Sequence, residues 1–187
     1  MTPLNIHIGM SIAGALKLAR FDAGGMAFFE ISPQGFWRSF WAAGIVAPFF
    51  LLLLVLRHIE AGGAFGHHIV IESLAYVIAW LLFPTVMATV TRMLGCAQNF
   101  VPFIIAYNWA GAIQNGVYLP IAILGYTGAL SGESASFLAL MAIAWVLIYT
   151  FFVVRTVLEL PAGTAVSIVV LDFVLGLVVD GVTNQFL

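Results

Sequence analysis

The sequence predicts an all-α fold: a polytopic transmembrane helical bundle of about five spans, preceded by an amphipathic in-plane helix. Three observations predict it. Of the 187 residues, 63% are hydrophobic and 7% charged, where a soluble domain carries roughly 25% charged residues. The apolar residues gather in runs of about 20, the length that crosses a hydrocarbon core as a helix. The runs are joined by short connections, the longest polar one lying between Arg57 and His68.

Residues 1–31 read as an interfacial segment and 32–187 as the bundle. Thr2-Pro3 marks a helix start, and Leu4, Ile8, Ile12, Leu16 and Ala19 recur at helical spacing, with His7, Ser11 and Lys17 off that stripe. Such a helix lies in the membrane plane with Lys17 and Arg20 near anionic lipid, or packs its apolar stripe on the bundle. Its positive charges follow the apolar residues, the reverse of a secretory signal peptide. Gly24-Gly25 is expected to form a flexible joint before the first span.

The first span runs from Phe36 to Leu56. Ser32 supplies an N-cap and Pro33 a first-turn residue. Trp37 and Trp41 fall at headgroup level and Arg57 ends the run. The second span, His68 to Arg92, contains Pro84. Prolines are tolerated in spans where neighbours satisfy the freed carbonyl, so Pro48 and Pro84 read as kinks. The fourth span runs from Ala135 to Arg155, and the fifth from Ala162 to Thr183 behind Pro161.

The third region, 97–128, is almost uncharged. As one helix it would extend about 48 Å at 1.5 Å per residue, and fitting it into a ~30 Å core would need a tilt beyond the usual range. A break is therefore expected at Asn115-Gly116 and Pro120. Residues 97–115 then span, and 117–129 lie at an interface, re-enter, or cross back as a sixth span. Positive residues favour the cytoplasmic side. Five spans place Lys17, Arg20, Arg38, Arg92 and Arg155 together, with Arg57 alone opposite; six spans move Arg155 across. Five spans with a cytoplasmic N-terminus fit better.

Composition and motifs narrow the function. The formal charge of −2 offers no basic surface for nucleic acid. The single cysteine, Cys96, excludes an internal disulfide and a cysteine-based metal site, and a thiol on the cytoplasmic side stays reduced. No Walker-type loop, GxGxxG, HExxH or GxSxG is present, so no cofactor and no enzymatic activity are expected. The Gly62, Gly63 and Gly66 loop has no phosphate-binding spacing. Arg155 and Glu159, four apart, read as a surface pair.

Ionisable residues inside a span are costly and point to function. Glu72, Asp172 and Asp180 qualify. In the last span Asp172, Gly176, Asp180 and Thr183 form one small and polar stripe. His68, Glu72 and Tyr76 form another in the second span; Asn108, Gly111 and Asn115 form one in the third. Lipid cannot satisfy such stripes. They imply a polar cavity among these spans, built from Glu72, Asp172, Asp180, His68, Asn108 and Asn115. The plainer reading has the outer residues solvated and Asp172 protonated or bonded to Asn108. His68 and Glu72 share a helix face, as paired metal ligands do, but two ligands make no site, and no metal is expected.

The layout of an N-terminal cytoplasmic segment, a compact bundle of about five spans and a polar break at Ala106-Tyr107-Asn108-Trp109-Ala110 resembles the Yip1-like family of small multi-pass membrane proteins. In that family a tyrosine followed by small polar residues and a proline opens the third span. Tyr107-Asn108 stands at that place, without the small residues and the proline. The resemblance covers roughly residues 36–183 and rests on layout, so no residue roles are carried over. It implies a membrane-organising or trafficking-related partner with no catalytic site.

The function expected from the sequence is a non-enzymatic integral membrane protein of a bacterial inner membrane. Its partners are the lipid bilayer and other membrane proteins or a second copy, and its role is scaffold, assembly or accessory subunit. The alternative is a small proton- or solute-coupled transporter using the intramembrane carboxylates. Five spans place the N-terminus inside and the C-terminus outside, so a reporter fused at Leu187 should be active only in its extracytoplasmic form; cytoplasmic activity there would reject the topology.

Overall fold

The computed structural model describes residues 4–61 and 65–186. The Thr2-Pro3 helix start, the Gly62-Gly63 loop and Leu187 lie outside them. The described residues are helical and contain no strand. They form α1 (Leu4–Leu18), a short 3-10 turn (Ala23–Phe28), α2 (Pro33–Ser39), α3 (Trp41–Ala61), α4 (Phe65–Met93), α5 (Phe100–Tyr126), α6 (Gly132–Leu158) and α7 (Ala162–Thr183). Four stretches are long and apolar enough to cross a membrane: Pro33–Ile59, Gly66–Met93, Gly132–Leu158 and Ala162–Thr183.

Local chemistry sets several boundaries. Ser32 Oγ accepts from the Gly35 N–H at 2.9 Å, with Pro33 in the first turn, and starts α2. Ser131 Oγ accepts from Ser134 N–H at the start of α6, satisfying one of the orphan donors of a helix N-terminus. Glu159 ends α6 in the left-handed region at φ 56°. That conformation takes it out of helical register, so Arg155 and Glu159 form no surface pair.

The core is built around α5. Its N-terminal half is buried on every side through Phe103, Ile104, Ile105, Ala106, Asn108, Trp109 and Ala110. It packs against α1, α2, α3, α4 and α6, while α4 and α7 pair with each other at the periphery.

Three expectations are corrected here. The third region does not break at Asn115-Gly116 or Pro120: α5 is one helix of 27 residues with Pro120 inside it. A proline removes one helical hydrogen bond and crowds the carbonyl four residues before it, here that of Gly116, and inside a span it is tolerated where neighbouring groups or small backbone adjustments compensate. Residues 117–126 therefore form neither a separate interfacial helix nor a return crossing. The length argument also loses force, since α4 and α6 hold 29 and 27 residues and extend past a hydrocarbon core in the same way.

The second correction concerns α1. His7 and Ser11, expected off the apolar stripe, face the bundle and are buried. Ala15 and Leu18 are buried beside them, and Ile8 and Ile12 pack partly against the core. Leu16, on the same expected stripe as Ile8 and Ile12, is instead exposed with Ile6 and Met10, so the stripe does not act as one face. Tyr149 of α6 donates to the Ala15 carbonyl at 2.7 Å and fixes α1 on the bundle.

The third is Gly24-Gly25. Rather than a joint, Gly25 is buried where the 3-10 turn meets α1, and a Cβ on it would lie 2.5 Å from the Gly14 carbonyl oxygen. Gly25→Ala should therefore push the turn off α1. The expected cost is about 1–3 kcal/mol, as for overpacking elsewhere. It would be read as a lower melting temperature in detergent and faster amide exchange in α1, and a variant with both unchanged would refute the contact.

Candidate functional site

Alternating helix directions gather the C-terminal ends of α3, α5 and α7 with the start of α4. Between them lies a cavity of about 390 Å3. Arg57 lines it from α3, Glu72 from α4, Asn115 and Tyr118 from α5, and Asp180 and Thr183 from α7, with Asn184 just beyond; Phe50, Leu53 and Leu119 form its apolar part. Tyr76, one turn after Glu72, clamps α4 to α3: its hydroxyl donates to the Ala43 carbonyl at 2.6 Å, and its ring stacks on Phe50 with centroids 4.6 Å apart. Asn115 Nδ2 donates back to the Gly111 carbonyl at 2.9 Å.

Of the six residues singled out in the sequence, Glu72, Asn115 and Asp180 share this cavity. The other three do not. His68 turns to the ring of His58, with centroids 5.6 Å apart. Asp172 Oδ1 accepts from the Tyr107 hydroxyl at 2.7 Å. Asn108 Nδ2 donates to Ser39 Oγ at 2.8 Å. The Asp172–Asn108 bond, one alternative of the plainer reading, is not formed, and each residue has its own partner. Neighbours on α5 point about 100° apart at 3.6 residues per turn, so Tyr107 and Asn108 address different helices.

Arg57, Tyr118 and Asn184 were not anticipated in this cavity. Arg57 was read as the charged end of a span, and the antiparallel order of α3 and α4 carries that end to Glu72. Its Nε is buried with no hydrogen-bond partner. The guanidinium lies 5.8 Å from the Tyr126 ring centroid, and Arg57 and Tyr118 also line a second cavity of about 360 Å3 against α6. Arg57 forms no ion pair with Glu72 or Asp180. The space therefore holds one cation, two carboxylates and two amides whose charges do not cancel by contact. Among the described residues, no three His, Cys, Asp or Glu side chains gather to hold a metal.

The opposite end of the bundle is closed by α1. Glu30 Oε2 lies 3.2 Å from Arg38 Nη1 and 3.5 Å from His7 Nε2. The His7 and Trp109 rings are 6.3 Å apart. His7, Ser11 Oγ, Asn108 Oδ1 and Trp109 Nε1 are buried without hydrogen-bond partners, the kind of site ordered water fills. Burial holds the His7 imidazole below its ordinary 6.5; the Glu30 carboxylate opposes this and the Arg38 guanidinium adds to it. Nearby, burial raises the Cys96 thiol, which suits a passive packing residue.

Compared with protein-family models, curated proteins and solved structures, the chain matches none.

Two outcomes follow from these contacts. Asp172→Ala leaves the Tyr107 hydroxyl without an acceptor inside the bundle, at an expected cost of about 1–3 kcal/mol. Asp172→Asn keeps an acceptor oxygen in place and should cost measurably less; equal melting temperatures for the two variants would deny the hydrogen bond. For His7, the unfolded chain binds a proton more readily than the folded one. Stability is then full above the ordinary value of 6.5 and falls as pH drops through it toward the lowered value. His7→Gln should flatten that slope in a melting-temperature series against pH, and an unchanged slope would reject the assignment.

Proposed function

We propose that this chain is a non-enzymatic, five-span membrane protein that works through contacts with other membrane proteins or lipid, as a scaffold, assembly or accessory subunit. One observation carries the reading. The four candidate spans have only 11–28% of their most apolar stretches buried inside the fold, with Gly66–Met93 lowest at 11%. Most of each span is left for lipid or for neighbouring spans. In this reading α5 is the remaining span, and its N-terminal half is surrounded by the other helices. The N-terminus is cytoplasmic, in a bacterial inner membrane. Ile6, Met10, Leu16 and Phe21 are exposed beside Lys17 and Arg20, so α1 rests in the membrane plane on one face and on the bundle by the other. The Yip1-like layout supports a membrane-organising role.

The mixed-charge cavity favours a second reading, a small proton- or solute-coupled carrier using Glu72 and Asp180. Cross-linking separates the two. Single cysteines replacing the exposed Leu52, Leu140 and Val178, in a Cys96→Ser background, should give discrete adducts in native membranes, of dimer mass or of one fixed heterocomplex, from at least one helix face. No adduct from any face, together with proton or solute flux in proteoliposomes, would replace the contact reading by the carrier.

A further inference from the structure

The α4–α7 pair borders two spaces of opposite character. On one side is the polar cavity of Arg57, Glu72, Asn115 and Asp180. On the other is a groove of about 460 Å3 formed by Ile71, Leu74 and Ile78 of α4 with Val178, Val182 and Phe186 at the end of α7. Thr183 lines both spaces, so they adjoin at the C-terminal end of α7. Thr183 Oγ1 donates to the Val179 carbonyl at 2.7 Å, which leaves the groove no unsatisfied donor there. A groove so apolar suits a hydrocarbon chain and offers nothing to an aqueous solute.

The polar cavity specifies what the other end of such a ligand carries. Arg57 lines the cavity and forms no ion pair with Glu72 or Asp180, so its guanidinium charge is not neutralised by contact. It calls for an anionic acceptor, and a guanidinium recognises phosphate well. The remaining polar groups are mostly acceptors: the Glu72 and Asp180 carboxylates and the side-chain oxygens of Asn115 and Asn184. These call for N–H donors. A primary ammonium brings three of them, whereas a quaternary ammonium brings none. One cation against two carboxylates also disfavours a headgroup that is only anionic.

We infer that these adjoining spaces form a binding site for a zwitterionic phospholipid with a primary-amine headgroup. Its phosphate sits against Arg57, its ammonium on Glu72 and Asp180, and one acyl chain in the α4–α7 groove. The inference rests on the contact reading above and names lipid as one of the contacts. A free zwitterion such as phosphoethanolamine shares the headgroup chemistry but leaves the groove empty, so the groove decides for the lipid.

The test uses the full-length protein, delipidated in detergent and read by native mass spectrometry. The probes are phosphatidylethanolamine, phosphatidylcholine, phosphatidylglycerol and free O-phosphoethanolamine. Phosphatidylethanolamine should be retained about tenfold over the other two lipids, the ratio expected from one extra charge-assisted hydrogen bond. Glu72→Gln with Asp180→Asn should abolish the preference for the ethanolamine over the choline headgroup. Leu74→Trp should lower retention by filling the groove while leaving the headgroup residues intact. Free phosphoethanolamine at millimolar concentration should not displace the lipid. Equal retention of the ethanolamine and choline lipids, a preference for phosphatidylglycerol, or displacement by free phosphoethanolamine would each overturn the proposal. The wild-type selectivity decides even where a variant fails to fold. If selectivity is absent while the cysteine adducts persist, the lipid site falls and the contact reading stands; loss of both removes both.

Discussion

Inside a bilayer a polar side chain must find its partner within the protein, and α5 carries several of them. Three of them reach three different helices. Tyr107 donates to Asp172 of α7, Asn108 to Ser39 at the end of α2, and Gln114 Nε2 to Thr150 Oγ1 of α6 at 3.0 Å. These bonds oblige the other helices to stand around α5, because lipid offers no substitute. Interhelical hydrogen bonds of this kind contribute about 0.6 kcal/mol each on average. Their role here is therefore to fix arrangement: packing of Phe103, Ile104 and Trp109 supplies the bulk contact, and the polar contacts set which helix meets which face.

The same requirement explains the two ends. Where α1 docks, Glu30 is shared by Arg38 and His7, Tyr149 holds Ala15, and Gly14 meets Gly25 at backbone distance. The helices converge there and the core is continuous. At the other end no described segment is docked over the helices. Arg57, Glu72 and Asp180 surround an open volume in place of pairing with each other. Local opening is drawn from regions with few packed contacts, so the Arg57 end is where α4 and α7 have room to move.

The spans were legible because apolar runs of the right length are a strong signal, and the Ser32-Pro33 start of α2 was legible because a cap is a local device. The third region was misread for a physical reason. Asn115, Gly116 and Pro120 are breakers in a helix that must satisfy itself alone, yet α5 continues through them from an N-terminal half that is packed on every side, and a proline inside a span is tolerated where neighbours or small backbone adjustments compensate. Periodicity alone also misassigned α1. Its apolar residues cover more than one face, and the buried side carries His7 to Glu30, a contact across more than 20 residues of sequence. Of the polar residues, Glu72, Asn115 and Asp180 could be grouped by their depth along each helix. Arg57 could not, because its position depends on how closely α3 returns beside α4.

Depth gives a residue's height in the bundle and rotation gives its neighbour. Asp172 and Asp180 lie two turns apart on nearly one face of α7, yet their surroundings are opposite. Asp172 is held by a half-buried tyrosine from the central helix. Asp180 is exposed at the cavity, where α7 has moved beyond the tightly packed part of α5. Burying a carboxylate is tolerable when a donor is already in place and expensive otherwise, so the first position is occupied by a structural contact and the second stays open to the cavity. The difference in surroundings between the two aspartates thus comes from where α5 stops being surrounded.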